Sequence, residues 1–168
     1  NHASFLDPVI LGIACPRILN FAARDSLFKN RLFAWLIREV GAFPIKRWSA
    51  DLSAVKESMR RLRNNFGLVV FPEGTRSKDG KLRKAYTGVA RLALTAKVPV
   101  LPVGIIGSDK VMPKGALFPR FVRCDVKIGK LMYFNKCYNK RINNKILEKV
   151  TRSIMKQIAE LTNQKYNY

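Results

Sequence analysis

The chain has one histidine, His2. No other side chain has an unperturbed pKa so close to neutrality, where a general base works best. Cysteine is equally scarce: Cys15, Cys124 and Cys137 are an odd number with no close pair. That pattern argues against a disulfide framework and against a zinc site, and fits a reducing interior with each thiol packed as a small hydrophobe. Acidic residues are few. Against 32 Lys and Arg stand 11 Asp and Glu, a net charge of +21. Such a surface prefers polyanions, whether nucleic acid, anionic lipid or an acidic carrier protein. No zinc-finger spacing and no aromatic RNP-type strand accompany the charge, so it carries no specific nucleic-acid signature. No apolar run approaches the roughly 18–20 residues of a membrane span, and no signal-peptide pattern opens the chain. No internal repeat or linker divides it.

What is present suits a folded domain. At 168 residues and 48% apolar content, the chain is long enough for a core and reads as one globular domain. The basic excess is uneven: the part after Asp109 carries a net +11 in about half the length that carries +10 before it.

Periodicity gives an α/β order. A buried helix is expected over 4–13, closed before Pro16, then a strand over 17–23. Asp25 or Ser26 caps a helix to Ile37, with Leu32, Phe33, Leu36 and Ile37 at helical spacing; Trp35 and the adjacent aromatic residues suit the core, or else a membrane-facing strip. A short strand over 41–45 contains Pro44, which suits an edge, and leads into a loop with Lys46 and Arg47. Ser49 or Asp51 caps a helix over 52–64. Its apolar face is Val55, Met59 and Leu62. Its basic face is Lys56, Arg60, Arg61 and Arg63, suited to water or a membrane surface. Strands are expected over 68–71, 98–106 and 121–128, with a helix running up to Ala96 in which Gly88 permits close packing. Residues 110–120 suit a loop at lipid or an ordinary packed loop. A helix from Asn139 carries Ile142, Ile146, Val150, Ile154 and Ile158 at steps of four. Together these give a single domain with a mixed central sheet flanked by helices.

Two stretches carry chemistry. Asn1-His2-Ala3-Ser4-Phe5-Leu6-Asp7 places a carboxylate five residues after the imidazole, where it can hold one tautomer. Ser4-x-x-Asp7 before an apolar run reads as a capping-box-like helix start. His-x4-Asp is short and common, and alone also fits a surface histidine beside an ordinary cap. The second stretch, Phe71-Pro72-Glu73-Gly74-Thr75-Arg76, follows an apolar strand, the usual place for a site in an open α/β sheet. Gly74 lets backbone approach a ligand, and Arg76 offers a planar fork to phosphate oxygens. Glu73 can orient that Arg or accept from a substrate hydroxyl. A surface turn with a salt bridge is the bland alternative.

Taken together, the two motifs resemble the glycerolipid acyltransferase family, and within it most the 1-acyl-glycerol-3-phosphate acyltransferases. Two weaker blocks, Gly41-Ala42-Phe43-Pro44-Ile45-Lys46-Arg47 and Val98-Pro99-Val100-Leu101-Pro102-Val103, fall in the family's order. The resemblance covers residues 1 to about 130. It implies an acyltransferase fold and acyl transfer from acyl-CoA or acyl–acyl carrier protein to lysophosphatidic acid, with another lysophospholipid or a lyso-aminolipid as the near alternative. A basic nucleic-acid-binding domain is the distant one. His2 is then the general base and Asp7 its orienting partner, with Arg47, Glu73, Gly74, Thr75 and Arg76 at the substrate. Lys46 departs from the acidic residue often found there. No metal and no cofactor are implied. A covalent route through Ser4 is disfavoured because an N-cap hydroxyl is already occupied. The resemblance also implies a membrane protein, peripheral or held by a segment before residue 1, working on the cytoplasmic side of an anionic surface.

Overall fold

The computed structural model describes residues 1–45, 52–113, 116 and 118–168. In chain order the elements are α1 (Asp7–Ala14), β1 (Leu19–Arg24), a 3-10 turn (Asp25–Phe28), α2 (Arg31–Glu39), β2 (Ala42–Ile45), α3 (Leu52–Arg63) and β3 (Gly67–Val69). There follow α4 (Gly88–Ala96), β4 (Val103–Ile106), α5 (Ser108–Val111), β5 (Asp125–Ile128), α6 (Asn135–Tyr138) and α7 (Asn144–Thr162). The chain groups into two compact units, residues 12–70 and residues 1–11 with 71–168.

Residues 12–70 form a three-stranded parallel sheet in the order β2-β1-β3. Parallel neighbours need crossovers, which α2 and α3 supply. Pro44 lies on β2, an edge strand, where its missing N–H breaks no ladder. The expected helix from Asp25 is two pieces. Asn30, in extended conformation, accepts from the Phe33 N–H at 3.0 Å and starts α2 afresh after the 3-10 turn.

Several residues expected in the core lie outside it. Trp35 is 59% exposed, and Leu32 and Leu36 are also exposed; the small Ala34 is what α2 buries. On α1 only Asp7 and Leu11 are buried, while Ile13 is 82% exposed. On α3, Met59 is buried but Val55 is not. Its basic face is divided. Lys56, Arg60 and Arg63 face water, but Arg61 turns inward, 4.6 Å above the Phe43 ring, and donates to Asn20 Oδ1 and Glu57. The three cysteines are half-buried rather than packed in the core.

In the other unit, β4 and β5 pair antiparallel, Val103 opposite Ile128 and Ile106 opposite Asp125. The described strands thus form two ladders, one parallel and one antiparallel, where the sequence suggests one mixed sheet; the α/β class stands. The expected strand over 98–106 is shorter because Pro99 and Pro102 offer no N–H. Before β4 only an isolated bridge joins Val100 to Met132. Phe121 and its neighbours up to Cys124 lie outside β5, and Phe121 is fully exposed. The helix expected from Asn139 starts later, at Asn144, where the Asn143 side chain accepts from the Ile146 N–H at 2.9 Å. Its stripe of Leu147, Val150, Ile154, Met155 and Ile158 is buried, against β4 and α4. Each such side chain contributes roughly 1.5–3 kcal/mol by burial. Gly104 makes the approach possible: a Cβ there would stand 2.9 Å from Leu161 and Thr162. Gly88, by contrast, faces open space and packs against nothing.

A Schellman closure ends α7. Asn163 takes the left-handed conformation (φ 54°), its N–H reaching Glu160 O, and Gln164 N–H reaches Ala159 O at 2.9 Å. The turn aims Gln164 at the loop before α4. Its Oε1 accepts from Leu82 N–H (2.9 Å) and its Nε2 donates to Gly80 O (3.2 Å). Tyr166 Oη accepts from Ala85 N–H. Residues 82–86 are non-helical, and the N–H groups of Leu82, Arg83, Ala85 and Tyr86 are engaged elsewhere.

Candidate active site

The site is built on residues 1–7 and the loop 71–77. Asp7 begins α1 and its carboxylate turns back over the residues before it. Oδ2 accepts from Ala3 N–H (2.7 Å) and Ser4 N–H (2.8 Å). The Ser4 hydroxyl accepts from Leu6 N–H (3.3 Å). This is half of the expected capping box: the acid takes the Ser4 N–H, but the Ser4 hydroxyl takes the Leu6 N–H and not that of Asp7. Its geometric result is that the same Oδ2 lies 2.7 Å from Nδ1 of His2.

Asp7 has no solvent exposure and His2 is 13% exposed. Burial alone pushes the Asp7 carboxyl up. Hydrogen bonds from His2, Ser4 and Ala3, with the Ser108 hydroxyl nearby, outweigh it and hold the group below the ordinary aspartate value. An ionised carboxylate only accepts, so Nδ1 carries the proton in the 2.7 Å bond. Nε2, the ring nitrogen that Asp7 does not engage, then carries the lone pair.

The imidazole is held from three further directions. Its face stacks on Phe71, ring centroids 4.0 Å apart at 20°. The His2 N–H donates to Glu73 Oε1 (3.1 Å), and the His2 carbonyl accepts from Ser77 N–H (2.8 Å). The two motifs are thereby stitched together through the main chain of His2.

Glu73 does not meet Arg76. It is buried, and its second oxygen accepts from Arg83 N–H at 3.0 Å. Burial raises its pKa despite the two N–H donors. Both oxygens serve the backbone, so Glu73 does not orient Arg76. The Arg76 side chain is exposed, its guanidinium 5.9 Å above the Phe5 ring, within cation–π reach. Gly74 closes a turn, its N–H on Phe71 O (3.0 Å), with φ +66°; a Cβ there would meet the Tyr86 ring at 3.1 Å. The close neighbour the structure gives it is thus Tyr86. Thr75 is half-buried between them. Arg47 and Lys46, and the expected caps Ser49 and Asp51, lie outside the described residues. Among the described residues no three His, Cys, Asp or Glu side chains cluster as metal ligands.

Sequence reasoning missed Asn1. Its buried amide donates to Ile105 O and accepts from Ile105 N–H, both at 2.8 Å, docking the motif on β4 like an extra strand residue. The only signal was a polar residue beside the histidine. It also missed Phe71 as the stacking partner and Ser108, buried beside Asp7.

The Acyltransferase family model matches residues 1–106. The chain belongs to the acyltransferase family. A 1-acyl-sn-glycerol-3-phosphate acyltransferase of Streptococcus pneumoniae is 33% identical over 163 residues, 95% of this chain and 58% of that protein. The chloroplastic 1-acyl-sn-glycerol-3-phosphate acyltransferase BAT2 of Brassica napus is 32% identical over 118 residues, 69% of this chain and 34% of that protein. Among solved structures, the 1-acyl-sn-glycerophosphate (LPA) acyltransferase PlsC of Thermotoga maritima superposes with a TM-score of 0.74 at 27% identity. The match covers 100% of this chain and 66% of that one. The chain thus spans between a third and two thirds of these acyltransferase-family relatives.

Proposed function

We propose that this chain is the catalytic domain of a 1-acyl-sn-glycerol-3-phosphate acyltransferase, spanning residues 1–168. The observation that carries the reading is the 2.7 Å contact between His2 Nδ1 and a buried, ionised Asp7. The names of the relatives supply the reaction class.

His2 Nε2 takes the proton from the free glycerol hydroxyl of lysophosphatidic acid as that oxygen attacks the thioester carbonyl. A tetrahedral oxyanion forms. It collapses with loss of the thiolate of CoA or of acyl carrier protein, which takes the proton back from the imidazolium. The products are phosphatidic acid and free thiol. Asp7 stabilises the imidazolium meanwhile; a base so placed contributes about 10²–10⁴-fold. No acyl-enzyme and no metal or cofactor is needed. The Ser4 hydroxyl is buried and engaged by Leu6 N–H, which supports leaving it out of the chemistry. Arg76, with Arg47, binds the acceptor phosphate. Phe5 holds the guanidinium of Arg76, and Thr75 and Gly74 shape the loop that presents it. Glu73 serves the substrate indirectly, by fixing His2.

The working place is the cytoplasmic face of an anionic membrane. A net charge of +21 and the exposed Ile13, Leu32, Trp35, Phe118 and Phe121 support it. No helix among the described residues is long and apolar enough to cross a membrane. Nucleic acid is bound, if at all, only through unspecific charge.

The test is a transfer assay on membranes, with acyl-CoA and acyl–acyl carrier protein against a panel of lysolipids. Phosphatidic acid formation that is lost in His2→Ala supports the reading. Activity on another lysolipid and none on lysophosphatidic acid would replace the acceptor. Sequence-selective nucleic-acid binding untouched by His2→Ala would replace the function.

A further inference from the structure

The two oxygens of Asp7 are unequally served. Oδ2 accepts three hydrogen bonds, from His2, Ala3 and Ser4. Oδ1, fully buried, accepts none of ordinary length and angle. A bare oxygen on a buried carboxylate is costly. Two hydroxyls among the described residues are in the same condition, Ser108 Oγ and Thr151 Oγ1; Thr151 lies within α7, and Ser108 is the one that acts on Asp7. The fold brings Ser108 and Asp7 together. Asn1 pins the first motif to Ile105 through two 2.8 Å bonds, and three residues later Gly107, at φ +86°, turns the chain so that Ser108 begins α5. The Ser108 side chain lies near enough to the carboxylate to help keep it ionised.

We propose that Ser108 is a positioning residue of the acyl-transfer site, its hydroxyl serving as the donor to Asp7 Oδ1 and fixing the carboxylate plane toward which His2 Nδ1–H points. The proposal rests on the reading of His2 as base, and it adds a third member behind the pair. Ser108 touches neither substrate nor the reacting atoms. Two donor-rich sides hold Asp7 in one rotamer, so the imidazole cannot swing with it. The donor at Oδ1 also draws charge from Oδ2 and moderates the pull of Asp7 on the imidazolium. The other titratable side chains around the pair are Glu73 on the loop after Phe71 and Cys124 ahead of β5; Arg76 stands over Phe5.

The test compares Ser108→Ala and Ser108→Thr with the unaltered chain by two readouts. The first is the imidazole titration by NMR, which is unambiguous because His2 is the only histidine. It needs no activity. Ser108→Ala is expected to raise the titration midpoint, since the unshared carboxylate holds the imidazolium more strongly. The second is transfer kinetics. Ser108→Ala is expected to lower kcat roughly three- to thirty-fold, the effect of one hydrogen bond to a charged group, with acceptor KM within about twofold. Ser108→Thr should restore both. An unchanged midpoint and an unchanged kcat in Ser108→Ala would overturn the proposal. So would equal losses of rate and melting temperature in the Ala and Thr variants, which mark a merely structural hydroxyl. A chain that transfers to no acceptor defeats the acyltransferase reading instead, and the titration still decides on Ser108.

Discussion

The Glu73 side chain holds His2 by its backbone: Oε1 accepts the His2 N–H at 3.1 Å. The acid of the second motif thus anchors the first motif and does not meet the arginine three residues on. Its other oxygen takes the Arg83 N–H, so one carboxylate ties three segments at a point next to the imidazole.

Glu73→Gln should therefore damage the site without removing any reacting group. The amide keeps one acceptor and turns an NH₂ toward the second N–H. Leaving one buried donor unmatched costs about 1–3 kcal/mol. Urea unfolding should show that loss, and kcat should fall while the acceptor KM moves little. A variant with full stability and full rate refutes the anchoring role.

The same substitution should change how stability depends on pH. Glu73 has a raised folded pKa, from burial first. The folded state then holds its proton where the unfolded state has released it. Its contribution to stability is best below the ordinary glutamate value and declines as pH rises to the raised one. Glu73→Gln removes that decline. Asp7 has the opposite sign. Burial opposes it, but its hydrogen bonds depress the folded pKa. Its stabilisation is present above the ordinary aspartate value and is lost as pH falls through the depressed one. Asp7→Asn should flatten that acid limb. Unfolding free energies measured across the acid range separate the two.

His2→Ala should reduce transfer by about 10²–10⁴-fold with little loss of folding. Asp7→Asn should lower kcat through the same base. The amide can still offer one oxygen to Ala3, Ser4 and His2, but it has no charge for the imidazolium. Initial rates beside circular dichroism check both; a fast, folded His2→Ala chain would end the general-base assignment.

Arg76→Ala should act on the acceptor. Charge-assisted hydrogen bonds contribute about 1.5–3 kcal/mol, so kcat/KM for a phosphorylated acceptor should fall roughly 10- to 100-fold. An acceptor without phosphate should be used no worse. Equal losses on both acceptors would remove Arg76 from the phosphate.

Gln164→Ala tests support from a distance. It deletes two hydrogen bonds to residues 80 and 82, on the loop whose Arg83 N–H holds Glu73. A stability loss of about 1–2 kcal/mol is expected, with a reduced kcat. Thermal melts and rates that both stay at wild-type level would show that the tail does not brace the site.

How far the sequence carries depends on whether the information is local. The α7 stripe was legible because apolar residues at steps of three and four can be buried together only on a helix face; of the five at steps of four, Val150, Ile154 and Ile158 are buried, Ile146 is half-buried and Ile142 precedes the helix. The capping box was legible because its partners lie within four residues of each other. Pro44 on an edge strand followed from its missing N–H. Trp35 and Ile13 misled because an apolar residue at helical spacing shows which helix face it is on, and nothing about whether that face is covered. The split at Asn30 was hidden because two possible caps preceded it.

By itself, the sequence singled out the proposed general base, since it offers a single imidazole, and the carboxylate beside it, since four intervening residues and a cap leave a short way back. It determined the class of the fold and the long terminal helix. Only the tertiary structure decided what surrounds that pair. Glu73 on the His2 amide, Phe71 under the ring, Asn1 on Ile105 and Ser108 behind Asp7 all join residues far apart in sequence. Such contacts depend on how backbone donors and acceptors are shared out across the folded chain, and no local pattern records that division.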